Sequence, residues 1–358
     1  MRFATPLFAT PFGPPLTLAY PAVMRDYLSQ LSPPPWLMGI LNITPDSFSD
    51  GNHFLDPAVA VAQARRLVAQ GATILDLGAE ASSFFRPGVT EVSASEQLRR
   101  LLPVLEQLAT GFSAYDSPPF ITLDTRSSLV VRQGLAVLSG AHAEPTAGAP
   151  PPPALRGGGG VNDISAGTHD PAMFEVVAEL GVPVVLMHVA PGYPATAEQD
   201  DPDIMATVRE YLAGRVAAAM AAGIRPENIL LDPGIGFGKT MADNWRLLAG
   251  SSRIVPGAGA RVAREGYPLV LGLSRKRFLD PDHWSALPED LPETPALRAC
   301  LDQAGRWGRM LPPELHHDLH PRDLATAALT AWAAAQGSFI HRVHNVALAA
   351  WALKQNPK

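Results

Sequence analysis

Polar and charged residues recur at the ends of short apolar runs, and their types are suited to binding a small polar ligand. The run ends carry Asn42, Asp76, Glu80, Asp124, Asn162, Asp163, His188, Asp232, Ser274, Arg275, Lys276, Arg342 and His344. A single aspartate after a strand is usually a helix cap or a turn former. Repetition at eight successive run ends instead predicts one shared pocket, because the carboxyl ends of parallel strands meet at the same edge.

The chemistry of these side chains predicts two halves of a ligand site. Oxygens that can accept hydrogen bonds from the donor edge of a planar heterocycle belong to Asp124, Asn162 and Asp232. Groups that can hold an anion belong to Lys276, Arg342 and His344. We therefore expect an acceptor wall and a separate cationic wall, suited to a flat ring with a phosphate tail.

The elements that must position these residues are predicted to form a (β/α)8 TIM barrel. The apolar runs are Trp36–Leu41, Thr73–Leu77, Phe120–Leu123, a run starting at Gly160–Val161, Pro183–Met187, Ile229–Leu231, Leu269–Leu273 and Phe339–Arg342. Segments of helical period, such as Pro57–Gln70 and Ser93–Ala109, separate them. Strands that are apolar throughout and joined by helices indicate a parallel sheet. An open doubly wound sheet is the alternative, although it usually has fewer strands.

The domain prediction is a single barrel, residues 36–358, preceded by an N-terminal extension, residues 1–35. Two segments fall outside the regular units. Ala141–Gly160 is rich in proline, alanine and glycine and is interpreted as a flexible insertion. Leu279–His320 is a long connection, interpreted as a functional lid or a disordered segment with a short helix near Pro295–Trp307.

Composition excludes several classes of protein. Hydrophobic residues make up 47% of the 358 residues and charged residues 17%, which is typical of a chain with a sizeable core. A net charge of −6 gives no support for a nucleic-acid or membrane partner. The single cysteine, Cys300, cannot form an intramolecular disulfide. Neither a signal peptide nor a spanning run is recognisable, so we expect a cytoplasmic protein.

Two motifs are interpreted as structural rather than catalytic. A structural zinc site is excluded with one thiol, and the histidines of the long connection, His316, His317 and His320, are interpreted as solvated. The stretch Asp232–Thr240 ends in GKT like a P-loop, but the glycine required five residues before Gly238 is Pro233. Its glycines are expected to allow close backbone approach to a ligand.

Seven motifs, taken in order, closely resemble those of the dihydropteroate synthases. They are MGILNITPDSFSDGN (Met38–Asn52), TLDT (Thr122–Thr125), VNDI (Val161–Ile164), LMHV (Leu186–Val189), LLDPGIGFGKT (Leu230–Thr240), GLSRK (Gly272–Lys276) and RVHN (Arg342–Asn345). The first motif and the DPGIGFGK stretch are specific, whereas VNDI alone would be weak. Their joint order makes the resemblance highly specific.

The resemblance implies an enzyme that joins 6-hydroxymethyl-7,8-dihydropterin pyrophosphate to p-aminobenzoate, releasing 7,8-dihydropteroate and pyrophosphate. It places the pterin on Asp124, Asn162, Met187, Asp232, Phe237 and Lys276. It places the pyrophosphate on Asn42, Arg342 and His344, with Asn42 also meeting Mg²⁺. The p-aminobenzoate side is implied for Ser274 and Arg275. A homodimer is also implied, and the catalytic set comprises Asp124, Lys276, Arg342, His344 and Arg86.

The loop after the second strand departs from the family pattern, which is close to GGESTRPG. This chain has GAEASSFFRPG, Gly78–Gly88, with about three added residues. By motif match, the p-aminobenzoate side would also receive Ser82, Ser83, Arg86 and Pro87. Three interpretations stay open. The additional residues pack on the rim without effect, they reshape the p-aminobenzoate pocket and weaken sulfonamide binding, or the chain is a pterin-binding paralogue without synthase activity.

Other classes are also open. A pterin-dependent methyltransferase shares the barrel, but it should lack SRK and RVHN as a pair, and this chain has both. A non-enzymatic binding or scaffold protein would show no magnesium-dependent release of pyrophosphate.

Overall fold

The structure, a computed structural model, describes residues 34–44, 56–80, 91–140, 158–193, 200–254, 267–317 and 319–355. Nearly all of the predicted N-terminal extension lies outside these residues. So does most of the atypical second-strand loop, including Ser82, Ser83, Arg86 and Pro87.

Eight parallel strands form the centre of the molecule. They are β1 Trp36–Asn42, β2 Ile74–Gly78, β3 Phe120–Asp124, β4 Gly159–Asp163, β5 Val184–Met187, β6 Ile229–Asp232, β7 Val270–Leu271 and β8 Ile340–Val343. Their order is β6-β5-β4-β3-β2-β1-β8-β7. A parallel bridge between Leu231 and Leu269 joins β6 to β7 and closes the ring. The predicted (β/α)8 barrel is therefore confirmed, and the open sheet is excluded.

Helices follow the strands and cover the barrel. They are α1 Pro57–Ala69, α2 Ala94–Phe112, α3 Ser128–Leu138, α4 Met173–Leu180, α5 Ile204–Ala221, α6 Met241–Ala249, α7 Thr294–Trp307, α8 Asp323–Ala335 and α9 Val346–Gln355. Helix α1 begins as predicted, with Pro57 in its first turn and the Asp56 carboxylate accepting the Ala58 N–H at 2.9 Å. Helix α2 runs three residues beyond the predicted end because its buried stripe continues to Phe112.

Side-chain alternation along the strands divides the barrel interior into layers. The lower layer is apolar and contains Trp36, Met38, Ile74, Phe120, Val185, Leu230, Val270 and Ile340. Successive strand residues point to opposite faces, so residues an even number of positions further along each strand share this inward face. That rule sends Asn42, Asp76 and Asp124 inward above the apolar layer, together with Asp232 and Arg342. The apolar lower layer thus forms the floor of a polar mouth.

The two segments interpreted as insertions differ from expectation. Strand β4 begins at Gly159, so the last two residues of Ala141–Gly160 belong to the sheet. Glycine is required there because a Cβ on Gly159 would lie 2.6 Å from the Leu135 side chain. A Cβ on Gly160 would lie 2.9 Å from the Pro183 carbonyl oxygen.

The long connection 279–320 is largely an ordered part of the helical layer. Helix α7 lies within it and buries one face, formed by Leu297, Leu301, Ala304 and Trp307. Ala304 and Trp307 pack in a cluster with residues of α8 and α9. The disordered interpretation of this connection was therefore wrong for its helix. Among the described residues, no helix is both long enough and apolar enough to cross a membrane.

Candidate active site

A cavity of about 490 Å³ opens at the carboxyl ends of the strands. The described residues to which the family resemblance gives a substrate or pyrophosphate contact all line it: Asn42, Asp124, Asn162, Met187, Asp232, Phe237, Ser274, Arg275, Lys276, Arg342 and His344. The fold thus brings together predicted residues from seven of the eight strand ends. Further lining residues that it did not name include Ile40, Ile164, Tyr193, Ile235, Arg277 and Arg322.

An arginine that lines the cavity is flanked by two aspartates. The Arg342 Nε donates to Asp76 Oδ2 and its Nη2 donates to Asp124 Oδ2, both at 2.6 Å. Asp76 is fully buried and also accepts from Thr122 Oγ1 at 2.6 Å and from Asn162 Nδ2 at 3.0 Å. Four hydrogen bonds therefore fix Asp76 and Arg342 in place. The expectation of separate acceptor and cationic walls was wrong, because Arg342 contacts the acceptor Asp124 directly.

Burial and the neighbouring charges shift the protonation of this cluster. Burial raises the pKa of Asp124 to about 7, although Arg342 acts to lower it. Burial, reinforced by Arg342, lowers the pKa of Lys276 to about 8, against the attraction of Asp232 and Asp124. The carboxyl group of Asp124 and the ammonium group of Lys276 therefore both titrate close to neutral pH.

Asp232 is oriented by the glycine-rich turn that follows β6. Its Oδ1 accepts the Gly234 N–H at 2.7 Å, and Gly234 has a φ of 67°. A Cβ on Gly234 would lie 1.8 Å from the His188 carbonyl oxygen, so no other residue fits this turn. The hydrogen bond uses one carboxylate oxygen and directs Asp232, which lines the cavity, toward a ligand's donor edge.

Lys276 is held against an aromatic ring. Its Nζ lies 3.9 Å from the centre of the Phe237 ring, in a cation–π contact. Gly236, with a φ of 81°, makes room for the lysine, since a Cβ there would lie 2.7 Å from Lys276 Cδ. The Phe237 ring and the Lys276 chain together form a flat, partly cationic surface on one side of the cavity.

His344 contributes a neutral ring rather than a cation. Burial, with Arg275 and Arg342 nearby, lowers the pKa of His344 to about 3. The hydroxyl of Ser274 accepts the His344 backbone N–H at 3.0 Å and lies 2.9 Å from its Nδ1. A hydroxyl donating to Nδ1 leaves the ring proton on Nε2, which can then donate to an anion. The low pKa makes the His344 ring neutral, which differs from its expected place among the cationic groups, and a neutral ring with its proton on Nε2 can still hold an anion.

Arg275 adopts the left-handed backbone region, with a φ of 60°. Its guanidinium forms a bidentate pair with the buried Asp323 at 2.9 and 3.2 Å. Asp323 begins α8 and also accepts from Asn345 Nδ2 at 3.2 Å. The ion pair with Asp323, at the start of α8, therefore holds the Arg275 side chain in place at the cavity rim.

Several strand-end residues face elsewhere. Glu80 pairs with Arg126, and Asp163 accepts hydrogen bonds from Ser165 and Gly167 within its own loop. His188 packs edge-on against Tyr211 and lines a different cavity. These residues do not line the substrate cavity, so the expectation that all the strand-end polar groups converge was too broad.

Lys239, in the GKT sequence, has a structural role. Its buried Nζ donates to the carbonyl oxygens of Gly234 at 2.8 Å, Phe237 at 3.2 Å and His188 at 3.3 Å. A P-loop lysine would reach a phosphate instead. The sequence-based rejection of a P-loop agrees with this arrangement, and Lys239 fastens the turn that carries Phe237.

The barrel and its cavity define a (β/α)8 enzyme with a polar site for a flat, hydrogen-bonding ligand. The chain belongs to the pterin binding enzyme family, whose profile matches residues 38–144 and 153–344. The resemblance drawn from the sequence motifs is thereby confirmed.

Relatives agree along most of the chain. It is 35% identical to the dihydropteroate synthase of Mycobacterium leprae over 332 residues, 90% of this chain and 92% of the relative. It is 38% identical to the Escherichia coli enzyme over 247 residues, covering 68% and 74%. The Xanthomonas albilineans dihydropteroate synthase structure with 4-aminobenzoic acid has a TM-score of 0.63 at 33% identity, covering 90% and 92%. Another structure of that enzyme, in complex with 7,8-dihydropteroate, has a TM-score of 0.61.

Proposed function

We propose that this chain is a dihydropteroate synthase of folate biosynthesis. It condenses 6-hydroxymethyl-7,8-dihydropterin pyrophosphate with p-aminobenzoate to give 7,8-dihydropteroate and pyrophosphate. The observation that carries the proposal is the convergence of Asp124, Asn162, Asp232, Lys276 and Arg342 on one cavity, in a chain whose relatives bear this name.

The reaction replaces a C–O bond by a C–N bond at the methylene of the pterin. The 2-amino group and ring N–H of the pterin donate to Asp232, and Asn162 lies beside the same edge. The bond from the methylene to the diphosphate breaks with its electron pair on oxygen, and the p-aminobenzoate nitrogen attacks the carbon and loses one proton. Arg342 and the His344 Nε2–H stabilise the departing charge, while Lys276 and Phe237 hold the ring in position.

The residues present fit a magnesium ion. Magnesium is typically held by one or two protein oxygens together with phosphate oxygens and water, so no dense ligand cluster is required. Gly78 has no side chain, and the position that a Cβ would take lies within 4 Å of Asn42 Oδ1 and of Asp124 Oδ2. The glycine therefore leaves space beside two oxygen atoms. Asn42 would hold the ion with the diphosphate, and the ion would neutralise charge on the leaving group.

A direct assay tests the synthase proposal against its alternatives. Purified protein is incubated with the pterin diphosphate and p-aminobenzoate, with and without magnesium, and dihydropteroate is measured. We expect product that depends on magnesium. Absence of product would instead favour the paralogue, and transfer of a methyl group would favour the methyltransferase. The predicted homodimer and cytoplasmic location stay predictions.

We expect a narrow bell-shaped pH profile for kcat/KM with the pterin substrate. Activity rises as Asp124 loses its proton near its pKa of about 7, because only the carboxylate accepts from a donor edge. Activity falls as Lys276 loses its proton near its pKa of about 8. Initial rates between pH 5.5 and 9.5 check this. In the Lys276→Arg variant the fall in activity above pH 8 should disappear, because arginine stays protonated. If the variant loses activity near pH 8 as the wild type does, the assignment to Lys276 is wrong.

Arg126 ties together the chain on both sides of residues 81–90. Its Nη2 donates to Glu80 Oε2 at 3.1 Å and to Glu91 Oε1 at 2.9 Å. Glu80 Oε1 also accepts the Val92 N–H at 2.8 Å. Arg126 and Glu80 are both about nine-tenths buried, so their pairing holds the ends of this segment together more firmly than a surface ion pair would.

Replacing Arg126 by glutamine is expected to raise KM for p-aminobenzoate about ten-fold. The reason is that Arg126 holds together the two ends of residues 81–90, the segment for which the family resemblance implies contact with p-aminobenzoate. KM for the pterin diphosphate should change less than about two-fold, because Arg126 does not line the substrate cavity. The matched control is Arg132→Gln, which removes the half-exposed pair with Glu179. Steady-state kinetics with each substrate varied in turn decide the matter, and an equal rise in both KM values is the contrary result.

A further inference from the structure

A second cavity, of about 590 Å³, adjoins the substrate cavity. The two share four lining residues, Ile40, Asn42, Arg275 and His344. Asn42 and His344 are also two of the residues predicted to hold the pyrophosphate. A diphosphate bound to them therefore lies at the boundary between the two cavities. We call the second cavity the antechamber.

Helix α1 supplies a polar wall of the antechamber. Gln63, Arg66 and Gln70 line it and are spaced three and four positions apart, which places them on one face of the helix. The buried stripe of α1, formed by Ala60, Val61, Ala64 and Leu67, faces the barrel instead. The remaining described lining comes from β1, from the residues after β8 and from the long connection: Leu41, Asn345, Ala347, Glu314, Leu315 and His317.

The lining favours an anion rather than an apolar or cationic ligand. Among the described residues of the antechamber, Arg66 and Arg275 are the arginines and Glu314 is the one carboxylate. Asp323 balances the charge of Arg275, so Arg66 and the neighbouring amide donors are the groups that suit an anion. The amide groups of Gln63, Gln70 and Asn345 add hydrogen-bond donors that suit phosphate oxygens. A small polyanion is the class of ligand that fits this combination.

We propose that the antechamber receives the inorganic pyrophosphate released by the reaction, with Arg66 as its principal binding residue. This inference rests on the proposed function, which makes pyrophosphate the product at Asn42 and His344. The pyrophosphate moves from Asn42 and His344 toward Arg66, while the dihydropteroate stays in the substrate cavity.

Arg65 provides a matched control for Arg66. The two arginines are adjacent on α1, but Arg65 does not line the antechamber, and its Nη2 would lie 2.9 Å from a Cβ on Gly111 of α2. Each is replaced by glutamine, which removes one charge in either case. Binding of inorganic pyrophosphate is measured by calorimetry, and product inhibition by pyrophosphate is measured in the synthase assay.

We expect Arg66→Gln to weaken pyrophosphate binding and inhibition about five-fold, and Arg65→Gln less than about two-fold. The difference should shrink in about 0.5 M salt, because exposed charges are screened. KM for p-aminobenzoate should be unchanged in both variants. Wild-type turnover combined with equal pyrophosphate binding by the two variants overturns the antechamber and leaves the synthase assignment intact. A wild-type protein that makes no dihydropteroate overturns both.

Discussion

Replacing Arg342 by glutamine is expected to lower kcat/KM for the pterin diphosphate by about three orders of magnitude. Arg342 donates to both Asp76 and Asp124 at 2.6 Å and lies where the diphosphate is proposed to leave. The substitution removes the charge that stabilises the leaving group and the donor that orients Asp124. Steady-state kinetics at saturating p-aminobenzoate measure the loss.

The same substitution leaves Asp76 buried without its guanidinium partner. Breaking a buried pair from one side costs about 3–5 kcal/mol of unfolding free energy, because one charge is left uncompensated. A second change, Asp76→Asn, removes that charge, so the double variant should recover most of the stability measured by urea unfolding. It should not recover activity. Recovery of both would mean that Arg342 acts only through the fold, and the assignment to the leaving group would be wrong.

The barrel was predictable because its signals are local. Each strand is a short apolar run, the helices carry buried stripes, and some helices have clear end signals, as Asp56 and Pro57 show for α1. The boundaries were less predictable, since they depend on packing between elements. Gly159 and Gly160 have the composition of a loop, yet they belong to β4 because they pair with β3. Leu135 and Pro183 lie too close there for a Cβ to fit without a shift.

The lining of the site was predictable from strand ends, whereas the pairings within it were not. Asp76 and Arg342 are 266 positions apart, and no local pattern states that their side chains meet. Alternation places Asp76 two residues beyond Ile74 on the inward face, which agrees with its place among the strand-end residues predicted to share a pocket, but its ligand role was not assigned. Nothing local shows that His344 is neutral, because its low pKa arises mainly from burial in the assembled barrel, reinforced by the charges of Arg275 and Arg342.

Replacing Asp232 by asparagine is expected to weaken pterin binding about 100-fold to 1,000-fold. The carboxylate can accept two charge-assisted hydrogen bonds from the donor edge of the pterin, each worth about 1.5–3 kcal/mol. Asparagine keeps the shape of the side chain and can still accept the Gly234 N–H, which lies 2.7 Å from Asp232 Oδ1 in the wild type. It has one acceptor oxygen in place of two and presents an N–H group to the donor edge of the ligand. Calorimetry with the pterin lacking its diphosphate measures this half of the site alone.

Asp163 is the matched control, because it is a fully buried aspartate at the end of β4 that does not line the substrate cavity. It accepts hydrogen bonds from Ser165 N at 2.8 Å, Ser165 Oγ at 2.6 Å and Gly167 N at 2.6 Å. Asp163→Asn should therefore lower the unfolding free energy by about 1–3 kcal/mol while pterin affinity stays within about two-fold. Equal losses of affinity in the Asp232 and Asp163 variants would show that buried charge at the barrel rim, rather than contact with the donor edge, governs binding.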